Sequence, residues 1–150
     1  MDIRSTPLAG FLAAVAADQP APGAGAAAGV ALGLAAACAS KALRISGRRE
    51  GDDDLVQAAD RAQTLAERAI VSAQDDCEDF PAVLKAPQDA DAARRLQADG
   101  EAGLKAAQEL RTLIEAYADR VVPELTGDLA AALHLLGAAE QIIAGNLAEL

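Results

Sequence analysis

The sequence predicts an all-α fold, and three observations lead to that prediction. Alanine occupies 40 of the 150 positions and leucine 19, and both residues favour helices. Aromatic residues make up only 2% of the chain, and the β-branched residues that favour strands are scarce. Apolar residues recur at steps of three and four, which is the spacing of one helix face. We therefore predict a single domain, residues 1–150, built as a helical bundle of about five helices with antiparallel neighbours and small-residue packing.

The first two predicted helices are separated by a proline-rich connection. The first helix is expected over residues 7–18, with Thr6 as its N-cap and its apolar residues on one face. The connection that follows contains two prolines, which cannot continue a helix. The second helix is expected from about residue 25 to residue 45, where Ser46-Gly47 ends it. Because this helix is apolar on nearly every side, we place it at the centre of the fold.

Three further helices complete the predicted bundle. The third covers about residues 52–86, begins at three consecutive aspartates and is expected to kink at Pro81. The fourth covers about residues 89–121. The fifth begins near Asp128, and Asn146 follows 18 residues later. Eighteen residues are five full turns, so these two polar residues should share one face about 27 Å apart.

Charge is distributed unevenly along the chain. Residues 1–49 contain five basic and two acidic residues, whereas residues 50–150 contain eight basic and 21 acidic residues. A chain with a net charge of −10 and almost no aromatic residues is a poor partner for nucleic acid or an anionic membrane. The exception is the basic segment 41–49, which is either a solvated helix end or a place where a small anion binds.

Targeting segments and metal motifs are not evident. The longest apolar stretch, residues 24–38, is shorter than the roughly 20 residues of a transmembrane helix, so we interpret it as buried. The first residues lack the basic and apolar pattern of a secretory signal, which predicts a cytoplasmic protein. Cys38 and Cys77 have no neighbouring cysteine or histidine, so we expect reduced thiols and no metal site.

Several short motifs occur in an order typical of one known family. Phe11-Leu12 precedes Pro20-Ala21-Pro22-Gly23-Ala24-Gly25 and a small-residue helix to Cys38; Asp79-Phe80, Ala82-Val83, Gly127-Asp128 and Asn146 follow. In these motifs the chain resembles the cyclodeaminase/cyclohydrolase family, which includes the C-terminal domain of formiminotransferase-cyclodeaminase and methenyltetrahydrofolate cyclohydrolase. The chain is a short and divergent match, and the Pro-x-Pro-Gly turn is its most specific part.

The resemblance implies an all-helical homodimer that acts on reduced folates in one-carbon metabolism, with a tetrahydrofolate derivative as substrate and no cofactor. Members of the family eliminate ammonia from 5-formiminotetrahydrofolate or hydrolyse 5,10-methenyltetrahydrofolate, and the sequence does not distinguish a cyclodeaminase from a cyclohydrolase. Both reactions move protons at the one-carbon bridge. Each therefore needs a group, such as a carboxylate, that can donate and accept a proton.

The matched motifs supply candidate site residues. Asp128 is the candidate acid–base residue, or alternatively only a helix N-cap. Gly23 and Gly25 allow positive φ angles and let a ligand approach the free amides of the following helix, or they only permit a close helix crossing. The candidate substrate-binding residues are Pro22, Gly23, Gly25, Lys41, Arg48, Arg49 and Asn146, of which the basic residues could meet the glutamate tail of a folate.

Three hypotheses for function remain, in this order. The first is a folate-dependent cyclodeaminase or cyclohydrolase. The second is a catalytically silent helical homologue that serves as a dimeric scaffold, because Gly23-Ala24-Gly25-Ala26 stands where the family has Gly-Gly-Gly-Ser. The third is a helical adaptor unrelated to folate. The acidic cluster at residues 75–79 is expected on a solvated face, and His134 lies off the face shared by residues 128 and 146.

Overall fold

The computed structural model describes all 150 residues and contains five α-helices and no strand. The helices are α1 (Leu8–Val15), α2 (Ala24–Glu50), α3 (Asp53–Lys85), α4 (Ala90–Tyr117) and α5 (Thr126–Ala148). Two short 3-10 turns, Ala118–Arg120 and Pro123–Leu125, join α4 to α5. The prediction of an all-α bundle of about five helices is confirmed.

Helices α2 to α5 form a closed ring in which each packs against the next and α5 packs back on α2. Between α2 and α3 the register reverses, since Gly29 faces Ala73 and Gly47 faces Leu55. In the contacts between α3 and α4, and in those between α4 and α5, residue numbers likewise rise along one helix as they fall along the other. Neighbours are therefore antiparallel. We call the end with the N-termini of α2 and α4 and the C-termini of α3 and α5 the upper end, and the opposite one the lower end.

Small side chains hold these helices close together. The main core contains 24 buried residues, and 13 of them are alanine. A Cβ atom added at Gly29 would lie 2.7 Å from the Cβ atom of Ala73, which is nearer than two such atoms can pack. The bundle therefore depends on methyl groups and on glycine at the helix crossing, which is the small-residue packing that the composition predicted.

Helix α2 continues past Ser46-Gly47, where its end was predicted. Ser46 is buried, and its Oγ accepts a hydrogen bond from the backbone N–H of Val122 at 3.0 Å. Gly47 is buried because its missing side chain lets the start of α3 come near. The helix ends instead before Gly51, which has a left-handed φ of 64°. Tertiary contacts thus override two residues that by themselves favour a helix end.

Other helix ends follow the sequence more closely. Asp52 and Asp89 cap α3 and α4 by accepting hydrogen bonds from backbone N–H groups of the first turn. Helix α3 continues through Pro81 to the predicted end. Helix α4 ends at Tyr117, earlier than predicted, because the chain tightens into the first 3-10 turn.

Helix α1 differs most from its predicted packing. Phe11 is buried, but Leu8, Leu12 and Val15, which were expected beside it, are 66%, 59% and 37% exposed. No side chain caps this helix, because the Thr6 hydroxyl donates to a backbone carbonyl of the preceding segment at 2.6 Å. Helix α1 therefore presents an apolar face to the outside of the chain.

Helix α2 is the one helix that is long and apolar enough to cross a membrane. Its most apolar window of 18 residues has a mean hydropathy of 1.6, and 61% of that window is buried inside the bundle. A core helix shows the same length and composition. The burial of α2 among three other helices supports its interpretation as a core helix.

Candidate functional site

A cavity of about 450 Å³ opens at the upper end of the bundle. Its volume lies in the range of small-molecule sites. All four helices of the ring contribute to it, together with the residues that follow α5. The lining residues are Gly23, Ala24, Gly25, Gly29, Leu32, Ser72, Asp76, Phe80, Val83, Leu96, Asp99, Gly100, Gly103, Ile143, Asn146, Leu147, Glu149 and Leu150.

Gly25 and Asp76 meet at one wall of this cavity. A Cβ atom at Gly25 would overlap the Asp76 carboxyl group, so the glycine makes room for that group at the first turn of α2. Burial raises the pKa of Asp76, and a hydrogen bond from the backbone N–H of Ala26 opposes this rise. The carboxyl group therefore lies at the N-terminus of a helix that has no side-chain N-cap, where the helix dipole favours a negative charge.

The predicted positive φ angles at the glycine turn are wrong. Gly23 has a φ of −124°, Gly25 is helical, and Gly51 is the one residue with a positive φ. The space taken by the Asp76 carboxyl group explains the glycine at position 25 better than backbone conformation does, because an α-helix needs no glycine at its second residue. The turn itself contains a cis peptide bond before Pro22.

Asp99 enters the same cavity from α4. Burial is the main reason that its pKa is raised to about 6, and the carboxyl groups of Asp75, Asp79 and Asp76 contribute further. Its Oδ2 atom is buried and has no hydrogen-bond partner. Asp79 accepts a hydrogen bond from Nε of Arg95 at 3.0 Å. A carboxyl group that titrates near neutral pH can both donate and accept a proton.

The structure brings together three of the residues predicted to bind substrate. Gly23, Gly25 and Asn146 all line the cavity, although they come from opposite ends of the sequence. Pro22 is buried directly before Gly23. These residues are neighbours because the N-terminus of α2 and the C-terminus of α5 meet at the upper end.

The other predicted site residues lie at the lower end. Asp128 is in the first turn of α5 and is not its N-cap. Its Oδ1 atom is 2.8 Å from Nζ of Lys41, and this hydrogen bond raises the pKa of Lys41. Arg49 lies 3.8 Å from Glu124, and Arg48 is exposed. Asp128 is about 27 Å along α5 from Asn146, so these residues and the cavity do not form one site within a single chain.

Sequence reasoning missed all three acidic side chains of the cavity lining, Asp76, Asp99 and Glu149. The acidic cluster at 75–79 was expected on a solvated face, but only Glu78 of its four acids is exposed. A signal for Asp99 was available in the sequence. It lies three residues after Leu96 and four before Gly103, so an acid falls within the apolar face of α4.

The remaining candidate groups lie outside the cavity. His134 is exposed on α5, and both cysteines are free thiols. No three His, Cys, Asp or Glu side chains are arranged to hold a metal ion. The polar groups that line the cavity are carboxyl, hydroxyl, amide and backbone groups.

A family model described as formiminotransferase-cyclodeaminase matches residues 7–147. The chain belongs to this family. The match extends from α1 through nearly all of α5, so it includes every helix of the cavity, and it confirms the resemblance carried by the short motifs. This formiminotransferase-cyclodeaminase family member matches no curated protein.

A solved structure has the same fold. It is a formiminotetrahydrofolate cyclodeaminase from Thermotoga maritima, which superposes with a TM-score of 0.86 at 23% sequence identity. The match covers 97% of this chain and 78% of that chain. The bundle is therefore the fold of a known cyclodeaminase, with part of the longer chain unmatched.

Proposed function

We propose that this chain is a folate-dependent one-carbon enzyme, either a formiminotetrahydrofolate cyclodeaminase or a methenyltetrahydrofolate cyclohydrolase. The observation that carries the proposal is a cavity with a carboxyl group of pKa about 6, and all but two of its lining residues lie in the part of the chain that the family model matches. The name of the similar Thermotoga maritima protein supports a formiminotetrahydrofolate substrate.

The proposed chemistry is proton transfer at the one-carbon bridge. In deamination the second folate nitrogen attacks the formimino carbon, and the departing nitrogen must be protonated to leave as ammonia. In hydrolysis water adds to the methenyl carbon and loses a proton, and the bond from this carbon to one folate nitrogen then breaks as that nitrogen is protonated. A carboxyl group with a pKa near 6 is present in both protonation states near neutral pH, so it can serve either reaction. The proposal needs no cofactor besides the folate substrate.

We propose Asp99 as the acid–base residue because it lines the cavity and because burial and its acidic neighbours raise its pKa to about 6. Asp76 would hold the substrate from the neighbouring helix α3. Asp128 stays the second candidate, although its position beside Lys41 separates it from the cavity. Gly23, Gly25 and Asn146 are proposed to contact the ring system, and Pro22 to set the path of the turn.

The basic residues require a second chain. Lys41, Arg48 and Arg49 lie at the lower end, so they are proposed to meet a folate tail only in a homodimer that places the lower end of one subunit beside the cavity of the other. The proposed partners are thus a folate and a second copy of the chain.

The direct test is binding and turnover by the purified protein. We expect tetrahydrofolate to bind, and we expect methenyl-folate absorbance to appear from the formimino substrate or to disappear by hydrolysis. Which of the two changes occurs decides between deaminase and hydrolase. Binding without either reaction would favour the catalytically silent homologue, and absence of binding would contradict the proposed function.

The position of the site is tested at Gly25. Gly25→Val should displace the Asp76 carboxyl group and block the cavity wall, so tetrahydrofolate binding should be lost while the helical circular dichroism is kept. Gly137→Val is the matched control, because no atom lies within 4 Å of a Cβ at that helical glycine. Loss of the fold in the Gly25 variant would instead show that this glycine serves helix packing.

A further inference from the structure

We infer that a surface groove between α3 and α4 binds an extended acidic segment of a partner protein. We call it the α3–α4 groove, and none of its lining residues lines the upper-end cavity. The inference therefore adds an interaction surface to the chain and does not depend on the proposed folate chemistry.

The charge of the α3–α4 groove is opposite to that of the whole chain. Its lining contains the bases Arg61, Arg68 and Lys105 and one acid, Glu109, whereas the chain has a net charge of −10. Arg68 and Glu109 form an ion pair at 3.3 Å, which leaves Arg61 and Lys105 without an acidic partner.

Unpaired bases are a minority in this chain. Eight of the 13 basic residues form an ion pair with an acid of the chain, and two of the other five line the α3–α4 groove. The chain has 23 acidic residues, so carboxyl groups are not scarce. Two free cations in one groove therefore favour a partner that supplies the carboxylates itself.

Tyr117 holds Arg61 in place at one end of the groove. Nη2 of Arg61 donates a hydrogen bond to the Tyr117 hydroxyl oxygen at 3.3 Å, and the guanidinium carbon lies 5.9 Å from the ring centroid. This bond uses one N–H donor of the guanidinium, and its other donors have no acceptor in the chain. A guanidinium that is already ordered and has free donors suits a carboxylate, which can accept two parallel hydrogen bonds from it.

Helix geometry sets the distance between the two free cations. Arg68 lies two turns after Arg61 on α3, and its partner Glu109 lies one turn after Lys105 on the antiparallel α4. At a rise of about 1.5 Å per residue, Arg61 and Lys105 are roughly 16 Å apart along the groove. An extended segment covers this length with about five residues. The groove therefore fits a segment whose two acids are about four residues apart.

The surface between the two cations is polar. The lining leucines, Leu65 and Leu113, are only 5% and 8% exposed, whereas Thr64, Gln108 and Thr112 are exposed. An amphipathic helix that docks in a groove needs apolar surface for its anchors, and these buried leucines offer little. Hydroxyl and amide groups can instead form hydrogen bonds with the backbone of an extended segment.

The test uses three capped pentapeptides: Glu-Ser-Ser-Ser-Glu, its analogue Gln-Ser-Ser-Ser-Gln, and Ser-Glu-Glu-Ser-Ser. Because Tyr117 is the only tyrosine and the chain has no tryptophan, intrinsic fluorescence reports binding beside Arg61. We expect saturable binding of the first peptide and at least about tenfold weaker binding of the second, which lacks charge-assisted hydrogen bonds. The third has the charge of the first but should bind several-fold more weakly, because its adjacent acids reach one free cation only.

NMR spectra locate the peptide, and inorganic phosphate serves as the small-anion control. The first peptide should change amide chemical shifts at Thr64, Arg68, Gln108 and Thr112. Equal affinity for the three peptides, or shift changes confined to other parts of the chain, would overturn the inference. Phosphate that binds as tightly as the first peptide would show a site for small anions and would also overturn it.

Variants assign the binding groups. Arg61→Gln and Lys105→Gln should each weaken binding of the first peptide by about tenfold and leave the helical circular dichroism unchanged. Lys85→Gln is the matched control, because it removes the same charge from an exposed, unpaired base outside the groove. NMR titration measures affinity in all three variants, since Arg61→Gln also changes the surroundings of Tyr117. Unchanged binding in both groove variants, or an equal loss in the control, contradicts the inference.

Discussion

At the residue scale, two aspartates represent two different predictions for the chemistry of this chain. The sequence motifs suggest Asp128, which lies beside Lys41 at the lower end. The structure suggests Asp99, which lies in the cavity, where burial and three neighbouring carboxyl groups raise its pKa. Asp128 has a basic partner and Asp99 does not, and we propose the acid–base role for Asp99 because it lines the cavity.

Substitution by asparagine distinguishes the catalytic roles of Asp99 and Asp128. Asp99→Asn should lower kcat by roughly 10²- to 10⁴-fold, the loss expected for an acid–base group, because the amide cannot exchange the proton. Asp128→Asn should leave kcat nearly unchanged. The measurement is methenyl-folate absorbance under saturating substrate. The opposite result, with the loss in the Asp128 variant, would return the role to the residue predicted from the motifs.

Asp99 should also make stability depend on pH. Its folded-state pKa of about 6 lies above the ordinary value of 3.8, so between these values the folded state binds more protons than the unfolded state. Stability should therefore fall as the pH rises through this window, and the loss is complete above the folded pKa. Asp99→Asn removes this contribution.

Urea unfolding of both proteins at pH 5 and pH 7.5 measures the effect. Because Asp75 and Asp76 also have raised pKa values, the quantity to compare is the difference between wild type and variant. This difference should shift in favour of the Asp99→Asn variant at pH 7.5. An identical difference at both pH values would show that Asp99 has an ordinary pKa.

At the scale of the elements, glycine has two different roles in the long helices. At Gly29 on α2 an added Cβ atom would lie 2.7 Å from the Cβ atom and 3.0 Å from the Cα atom of Ala73. At Gly137 on α5 nothing lies within 4 Å. The first glycine sets the distance between two helices, and the second only weakens its own helix.

Alanine at these two positions should change stability in opposite directions. Gly29→Ala should lower the free energy of unfolding by about 1–3 kcal/mol, because backbone atoms of α3 would have to move. Gly137→Ala should raise it by about 0.5–1 kcal/mol through helix propensity alone. Chemical denaturation checks both values. A stabilising Gly29→Ala would mean that α2 and α3 can separate at no cost.

At the scale of the whole molecule, the apolar surface indicates association. Leu8, Leu12 and Val15 on α1 and Leu34 on α2 are exposed, with Leu8 at 66% and Leu34 at 51%. Exposed apolar side chains of this size are favourable to bury, and symmetric dimers are the commonest way to do so. The homodimer implied by the family resemblance therefore stays our prediction.

Sedimentation tests this prediction. We expect the wild type to sediment as a dimer at micromolar concentration and the double variant Leu8→Glu/Leu12→Glu to sediment as a folded monomer, since two charges on α1 would have to be desolvated in the interface. A wild type that stays monomeric would contradict the prediction. A variant that stays dimeric would place the interface away from α1.

The sequence by itself determined the helices and their order, because each depends on local information, and the absence of a long linker predicted antiparallel neighbours. Helix propensity, the period of the apolar residues and the capping aspartates Asp52 and Asp89 act within a few residues. The family could also be recognised from the sequence, because its short motifs occur in a fixed order along the chain. The glycine turn and Asn146 were identified in this way, and both lie at the cavity.

Only the tertiary structure decided which groups share a site. Gly25 and Asp76 are 51 residues apart, and nothing local indicates that the missing side chain of one makes room for the carboxyl group of the other. The same holds for Ser46, which stays helical because a distant backbone N–H group satisfies its hydroxyl. Periodicity shows which face of a helix is buried, but the meeting of helix ends depends on packing in three dimensions. That is why Asp76 and Asp99, from two different helices, could be placed in one cavity only by the tertiary structure.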